Sequence, residues 1–141
     1  KKKMSYKIIA KYIKDIKFEI PNPKTFFLLT KNISNYKINI DIKSNQLKDK
    51  MIEVETSLSL KPNKNDFEKI ITKITLSSII EFEDKNLDKD NLRKIILIEV
   101  PSEIYSEIRE TFLFLFNKSG FKEIKIDKEV NFQKLYEQRK N

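Results

Sequence analysis

The segment from Tyr6 to Pro23 reads YKIIAKYIKDIKFEIPNP and has the clearest structural pattern in the chain. Its apolar residues alternate with charged ones, and successive side chains of a β-strand point to opposite faces. The apolar parity consists of Ile8, Ala10, Tyr12, Ile16, Phe18 and Ile20, with Lys14 as the only charged interruption. Pro21 and Pro23 lack the N–H that a strand ladder needs, so pairing should end there. The stretch therefore predicts a long, half-buried strand with one wet face.

Three further segments alternate in the same way, and turn-forming residues separate them. They are 37–43 (inward Ile38, Ile40, Ile42), 51–60 (inward Ile52, Val54, Leu58, Leu60) and 67–82 (inward Ile70, Ile74, Leu76, Ile80, Phe82). Four such strands with short connections predict an antiparallel sheet with one covered face.

The last third of the chain has helical periodicity. Asp88 and Asp90 are candidate N-caps for a first helix that Pro101 ends, and Ser102 is the candidate cap of a second helix. Gly120, the only glycine, follows this helix where a left-handed C-cap needs one. We also expect a short strand over 121–126 and a final helical turn capped by Asn131.

The fold class predicted from these patterns is α+β, a four-stranded antiparallel sheet with two main C-terminal helices packed on one face. At 141 residues the chain is long enough for one domain with its own core. We expect a single domain over 1–141, with flexible ends at 1–5 and 137–141.

Composition argues against an enzyme. The chain contains neither cysteine nor histidine, which removes the thiolate ligand and the commonest general base and transition-metal ligand. Asp15 and Glu19 share a strand face but are about 13 Å apart, too far for a carboxylate dyad acting on one bond. We therefore expect no catalytic residues, no metal and no cofactor. No apolar run approaches a membrane span or a signal-peptide core, so we expect a cytoplasmic protein without direct membrane insertion.

The formal charge is +8, from 29 basic and 21 acidic residues. Only three basic residues are arginines, whereas nucleic-acid binders rely on arginine for bidentate contacts. The interpretation that we favour is a lysine-rich solvated surface, and a basic nucleic-acid-binding module stays open as an alternative.

The segment KTFFLLTKNI, residues 24 to 33, follows the first strand and is rich in large apolar residues. We expect a loop rather than a helix. Its apolar side chains either fill a local cluster or line a groove for a client or partner. The predicted second helix also carries a wider apolar arc than one sheet face requires, which is typical of a subunit interface or a ligand groove.

Several motifs resemble the SecB family of bacterial protein-export chaperones. They are KDIKFEIPN (14–22), QLKDKMIEV (46–54), Pro101 followed by Arg109-Glu110, and VNFQKLY (130–136). Their order and spacing agree with four strands followed by two helices, and the resemblance extends from about Tyr12 to Tyr136.

The resemblance implies a holdase that keeps unfolded preproteins export-competent and delivers them to the motor SecA. It also implies a homotetramer, a dimer of dimers with helices between sheets. The implied client-binding groove consists of Phe26, Phe27, Leu28, Leu29 and Ile33, facing Tyr105, Ile108 and Phe112. The implied SecA-contact face consists of Asp15, Glu19, Ile71 and Lys73. Lys73 stands where the family pattern has an acid.

A second hypothesis keeps the chaperone fold but gives it one dedicated client, such as the antitoxin of a toxin–antitoxin pair. The lysine at position 73 and the basic net charge leave room for it.

Overall fold

The computed structural model describes residues 6–62, 70–83, 87–121 and 124–140. The strands are β1 (Tyr6–Glu19), β2 (Tyr36–Lys48), β3 (Met51–Pro62) and β4 (Ile71–Phe82). They form one antiparallel sheet in the order β1-β4-β3-β2. The helices are α1 (Pro23–Asn32), α2 (Lys89–Lys94), α3 (Val100–Lys118) and α4 (Phe132–Lys140), with a 3₁₀ turn at Ile33–Asn35. The predicted fold class is confirmed.

The core lies between the sheet and the helices on one of its faces. The inward residues of β3 and β4 are buried as their alternation predicts, and those of β2 are half-buried. They pack against an apolar stripe of α3 and the end of the chain. The members of this stripe that are buried are Ile104, Tyr105, Ile108, Phe112 and Phe116.

β1 departs from the parity that its sequence predicts. Its register against β4 shifts between Ile8 and Ala10 and again between Ile13 and Asp15. Each shift adds one residue to β1, and one extra residue moves the following side chains to the other face. Ala10 and Tyr12 therefore lie on the outer face, opposite Ile79 and Ser77, although alternation predicted them inward. The second shift restores the predicted parity for the rest of the strand.

α1 replaces the loop that we expected after β1. The side chain of Asn22 accepts a hydrogen bond from Thr25 N at 2.8 Å, and Pro23 occupies the first helical turn. Asn at the N-cap followed by Pro is a start signal that is readable from the sequence. The helix buries Thr25 and Leu29 on its inner side.

The predicted break at Pro101 is also wrong. α2 and α3 are continuous through a π-helical turn at Ile95–Glu99, in which Val100 N donates to Ile95 O. Proline has no N–H and crowds the preceding turn, and the wider π turn accommodates it without ending the helix. Ser102 consequently caps nothing, and its hydroxyl donates to Ile98 O at 2.6 Å. Asp88 is confirmed as an N-cap, since it accepts from Asn91 N at 2.8 Å.

The end of α3 is a Schellman motif. Gly120 has φ +93°, its N–H donates to Asn117 O, and Phe121 N donates to Phe116 O at 2.9 Å. The rings of Phe116 and Phe121 then pack with centroids 5.9 Å apart. The predicted left-handed glycine cap is confirmed.

Of the remaining C-terminal predictions, the short strand is wrong and the Asn131 cap is confirmed. Phe121 and 124–126 form an irregular segment rather than a strand, and 122–123 lie outside the described residues. Asn131 caps α4 by accepting from Lys134 N at 2.9 Å, and α4 continues to Lys140 where a frayed end was expected. The predictions that concern 1–5, 63–69 and residue 141 also lie outside the described residues.

Candidate client groove and outer sheet face

An apolar groove of about 710 Å³ lies between the β2 edge of the sheet and the C-terminal segment. Its floor is formed by Tyr36, Ile38, Ile40 and Leu60. Its far wall is formed by the irregular segment before α4. The residues of this wall are Ile124, Lys125, Ile126, Asp127 and Val130, and Leu135 of α4 extends it.

α3 holds this irregular wall in place through two side chains. The hydroxyl of Tyr105 donates to Asp127 O at 2.7 Å, and Arg109 Nε donates to Ile126 O at 3.0 Å. Burial raises the pKa of Tyr105, so its phenol stays protonated and keeps donating. A segment without secondary structure of its own thus acquires a fixed position beside the sheet, and the groove is preformed.

Of the predicted groove residues, the structure brings Ile33 and Tyr105 to this groove. Leu29, Ile108 and Phe112 are at most 1% exposed and lie inside the core. The burial of Leu29 follows from the helical geometry of α1, because one side of this helix faces the core. In this chain these three residues support the groove from within rather than line it.

The other predicted groove residues lie around α1. Phe26 lines a second, shallower cavity with Phe18 and Ile20, and its ring contacts that of Phe27 at 5.5 Å between centroids. Leu28 is half-buried, and Phe27 is 62% exposed. Exposed aromatic side chains beside an apolar cavity are typical of surfaces that contact another apolar chain segment.

The outer face of the sheet carries the four residues of the predicted SecA-contact face. In the β1–β4 ladder Glu19 lies opposite Ile71, Asp15 opposite Thr75, and Lys17 opposite Lys73. Directly opposite residues of an antiparallel pair share one face, so all four predicted residues are neighbours there. Ile71 is 51% exposed among these charges.

The outer face also carries a carboxylate that sequence reasoning missed. Glu53 lies in the middle of the sheet and is only 7% exposed. It accepts hydrogen bonds from Ser77 Oγ at 2.6 Å, Tyr12 Oη at 3.0 Å, Lys14 Nζ at 3.1 Å and Asn45 Nδ2 at 3.1 Å. These four donors come from β4, β1 and β2, so one side chain links β3 to every other strand of the sheet.

The hydrogen bond from Ser77 is the main reason that the pKa of Glu53 falls from 4.5 to about 2, with further lowering from Asn45, Lys14 and Tyr12. Glu53 and Glu55 in turn raise the pKa of Lys14 by accepting its hydrogen bonds. The group is therefore ionised at neutral pH and fully paired. The alternation of Glu53 with apolar neighbours indicated only a solvated face, because strand order cannot be read from one strand.

Within the described ranges, no cluster of acidic side chains is arranged to hold a metal ion. In the same part of the chain, no helix is long and apolar enough to cross a membrane.

Comparisons with known proteins agree on one family. The family model described as preprotein translocase subunit SecB matches residues 1–141. The putative protein-export protein SecB of Pelagibacter ubique (strain HTCC1062) is 40% identical over 137 residues, covering 97% of this chain and 98% of that protein. The protein-export protein SecB of Burkholderia lata is 27% identical over 128 residues, covering 91% of this chain and 78% of that protein.

Among solved structures, a similar fold is that of the Mycobacterium tuberculosis SecB-like chaperone in complex with a peptide from the HigA1 antitoxin. The TM-score is 0.58 with 10% identity, and the match covers 87% of this chain and 90% of that chain. At this identity the likeness shows the fold alone.

Proposed function

The chain belongs to the SecB family, and from that premise we propose that it is a holdase for unfolded preproteins. It captures them in the cytoplasm, keeps them export-competent and delivers them to SecA, and no catalytic step is part of this role. The observation that carries the proposal is the preformed apolar groove between the β2 edge and the C-terminal segment.

The chemistry of the groove fits clients of varied sequence. Its lining is dominated by isoleucine, leucine, valine and tyrosine, and apolar contact is non-directional, so the groove does not demand one sequence. The unfolded state exposes apolar residues that the folded client buries. A groove of this kind therefore distinguishes unfolded from folded clients by exposure rather than by sequence.

We propose a revised client-binding surface. It keeps Ile33 and Tyr105 from the predicted set and adds the floor residues Ile38, Ile40 and Leu60. Phe26 and Phe27 form a second contact area beside α1, where both rings remain at least partly accessible.

We propose that SecA docks on the outer sheet face, at Asp15, Glu19, Ile71 and Lys73. Support for this proposal comes from the β1–β4 register, in which these residues are neighbours, and from the exposed side chain of Ile71 among charges. Docking there leaves the groove on the other side of the sheet free, so client and motor need not compete.

The proposed assembly is a homotetramer built as a dimer of dimers. β1 is a 14-residue edge strand, and Ile13 and Ile16, which are exposed, lie opposite the inward residues Leu76 and Ile74. On α3, Phe114 is 57% exposed. Open strand edges and exposed apolar side chains of this extent are typical of surfaces that a second subunit covers.

Export rather than service to one antitoxin is the function that the relatives favour. The relative that is 40% identical over nearly the whole chain is named a protein-export protein, whereas the antitoxin complex is 10% identical. We therefore propose no dedicated client.

The experiment is suppression of aggregation of a reduced, unfolded precursor, followed by light scattering, with size-exclusion chromatography of the same mixtures. The protein should suppress aggregation and elute as a four-chain particle that shifts when the precursor is added. Ile38→Ser, in the groove floor, should weaken suppression severalfold. Lys43→Ser, on the opposite face of the same strand, is the matched control and should leave it unchanged. A protein that neither suppresses aggregation nor shifts would overturn the proposal.

A further inference from the structure

A diagonal row of lysines crosses the outer sheet face near the proposed SecA contact. Lys17 of β1 lies directly opposite Lys73 of β4, and Lys37 of β2 lies directly opposite Lys61 of β3. Lys73 is also opposite Ser59, which is two residues from Lys61 on the same face, so the two pairs are diagonal neighbours. Each strand contributes one lysine, and we call these four residues the lysine row.

The lysine row is under-neutralised within the described part of the chain. Lys17 has an ion pair with Asp15, at 3.8 Å between Nζ and Oδ2, and it is the one member of the row with a described ion pair. Lys37 and Lys61 are exposed and Lys73 is half-buried. Like charges directly opposite on neighbouring strands repel one another and destabilise a sheet. Two such pairs lie on one face. Binding of a negatively charged partner there would therefore reduce the electrostatic repulsion between the lysines.

We propose that the lysine row docks an acidic, extended peptide segment of a partner protein, with an apolar residue seated on Ile71. This deepens the proposed function, on which it rests in taking the outer face as the docking surface. It adds that the docking segment is acidic, although the same face also carries Asp15 and Glu19.

The geometry suits a peptide of this kind. Four neighbouring strands span about 15 Å at about 4.8 Å per spacing, which an extended segment of about five residues covers. Alternate residues of such a segment share one side, so acidic side chains at positions i, i+2 and i+4 all face the row. Ile71 precedes Lys73 by two positions on the same face and is 51% exposed, which provides the apolar contact.

The neighbouring carboxylates disfavour a nucleic acid. Asp15 and Glu19 flank Lys17 on β1, and Asp41 lies on the same face of β2 opposite Ser57. A phosphodiester chain carries a charge at every residue and cannot avoid these groups, whereas a peptide can place neutral residues over them. The row also contains no arginine, which is the usual bidentate ligand of phosphate.

The test is fluorescence anisotropy on the full chain with three labelled probes. One is a ten-residue peptide in which glutamate and serine alternate around a central leucine. The second has lysine in place of each glutamate, and the third is a ten-nucleotide oligothymidine. The glutamate peptide should bind, and its affinity should fall as NaCl rises from 50 to 300 mM, because exposed charges are screened. The lysine peptide should not bind.

Variants locate the site. Lys73→Thr and Lys17→Thr should each weaken glutamate-peptide binding about fivefold, the upper range for one exposed charge pair. Lys43→Thr, which makes the same change elsewhere on the outer face opposite Glu55, should alter it less than twofold. Equal binding of the two peptides, an unchanged affinity in both row variants, or oligothymidine binding that depends on Lys73 would overturn the proposal.

Aggregation suppression by the same variants separates this proposal from the proposed function. Lys17→Thr should suppress aggregation as well as the unsubstituted protein does, because Lys17, unlike Lys37, is not among the residues that line the groove. If the unsubstituted protein fails to suppress aggregation, the holdase function fails, and the peptide titrations still decide whether the lysine row binds acidic segments.

Discussion

The two faces of the sheet are built from the same strands but are stabilised differently, and two adjacent serines show the difference. Ser77 and Ser78 of β4 are both fully buried. Ser77 faces outward and donates to Glu53 at 2.6 Å. Ser78 faces the helices, and its hydroxyl has no hydrogen-bond partner among the described residues. The helix-covered face thus depends on apolar packing and tolerates a buried hydroxyl without a hydrogen bond. The outer face depends instead on a hydrogen-bonded carboxylate.

Substitution in the helix-covered face should destabilise the protein most. Phe112→Ala removes a fully buried ring and should lower the free energy of unfolding by about 3–5 kcal/mol. Phe114→Ala on the same helix removes a ring that is 57% exposed, and in the monomeric fold it should cost about 0.5 kcal/mol or less. The measurement is urea unfolding at a protein concentration at which light scattering shows the chain to be monomeric, because assembly adds to apparent stability. Similar losses in the two variants would contradict this account of α3.

Breaking the outer face should have the next largest effect. Glu53→Gln preserves shape but removes the charge that four donors share, and we expect a loss of about 2–3 kcal/mol at pH 7. Glu55→Gln is the control, since among the described residues Glu55 accepts only from Lys14 and Asn45, and it is more exposed. A loss in Glu53→Gln no greater than in the control would show that the network adds nothing to the sheet.

The same carboxylate should give stability a distinct dependence on pH. The folded-state pKa of Glu53 is about 2, below its ordinary value of 4.5. The folded state therefore releases this proton more readily than the unfolded state does. The contribution is complete above about pH 4.5 and is lost as pH falls from there towards 2. Urea unfolding between pH 7 and 3 should show this decline, and Glu53→Gln should lack that part of it. Identical pH profiles would contradict the assigned cause.

Ser77 and Ser78 should respond differently to the same substitution. Ser77→Ala leaves Glu53 without its shortest hydrogen bond and should cost about 1.5–2 kcal/mol. Ser78→Ala removes an unpaired buried hydroxyl and should leave stability unchanged or raise it by up to about 1 kcal/mol. Both changes delete the same atom from adjacent residues, so each variant is the control for the other. A larger loss in the free energy of unfolding for Ser78→Ala than for Ser77→Ala would contradict the conclusion that the outer face, and not the helix-covered face, depends on a paired serine hydroxyl.

The smallest effect is expected at the lysine row. Lys73→Thr relieves the repulsion with Lys17 and should raise the free energy of unfolding by about 0.5 kcal/mol at low salt. The gain should shrink as salt is added. A salt-independent gain would indicate strand propensity rather than charge as its cause.

The sequence predicted the sheet well because β2, β3 and β4 carry apolar residues at most of their inward positions, so the few exceptions, such as Ser78, did not obscure the alternation. It predicted β1 less well. Lys14, the one charged residue in the apolar parity, lies at the second bulge, but the first bulge becomes visible only in the register with β4. The helical periodicity resumes directly after Pro101, and this pattern indicated that the helix continues through the proline. Asn22-Pro23 was likewise a readable start for α1.

The candidate site was harder to predict than the fold. Asp15, Glu19, Ile71 and Lys73 share one face as expected, because strand parity decides which face each occupies. The groove floor depends on β2 being an edge strand, and its wall is an irregular segment held by Tyr105 and Arg109. Neither strand order nor the path of an irregular segment follows from local pattern.

The two extra residues of β1 compensate each other as a pair of frameshifts does in a reading frame. The first shifts the strand out of phase after Ile8, and the second restores the phase before Ile16. Deleting one of them alone would move the side chains on one side of the deletion to the opposite face of the sheet. Deleting both would leave a shorter, regular strand. Evolution in this strand should therefore proceed by paired gains and losses, and relatives that lack one extra residue should lack the other.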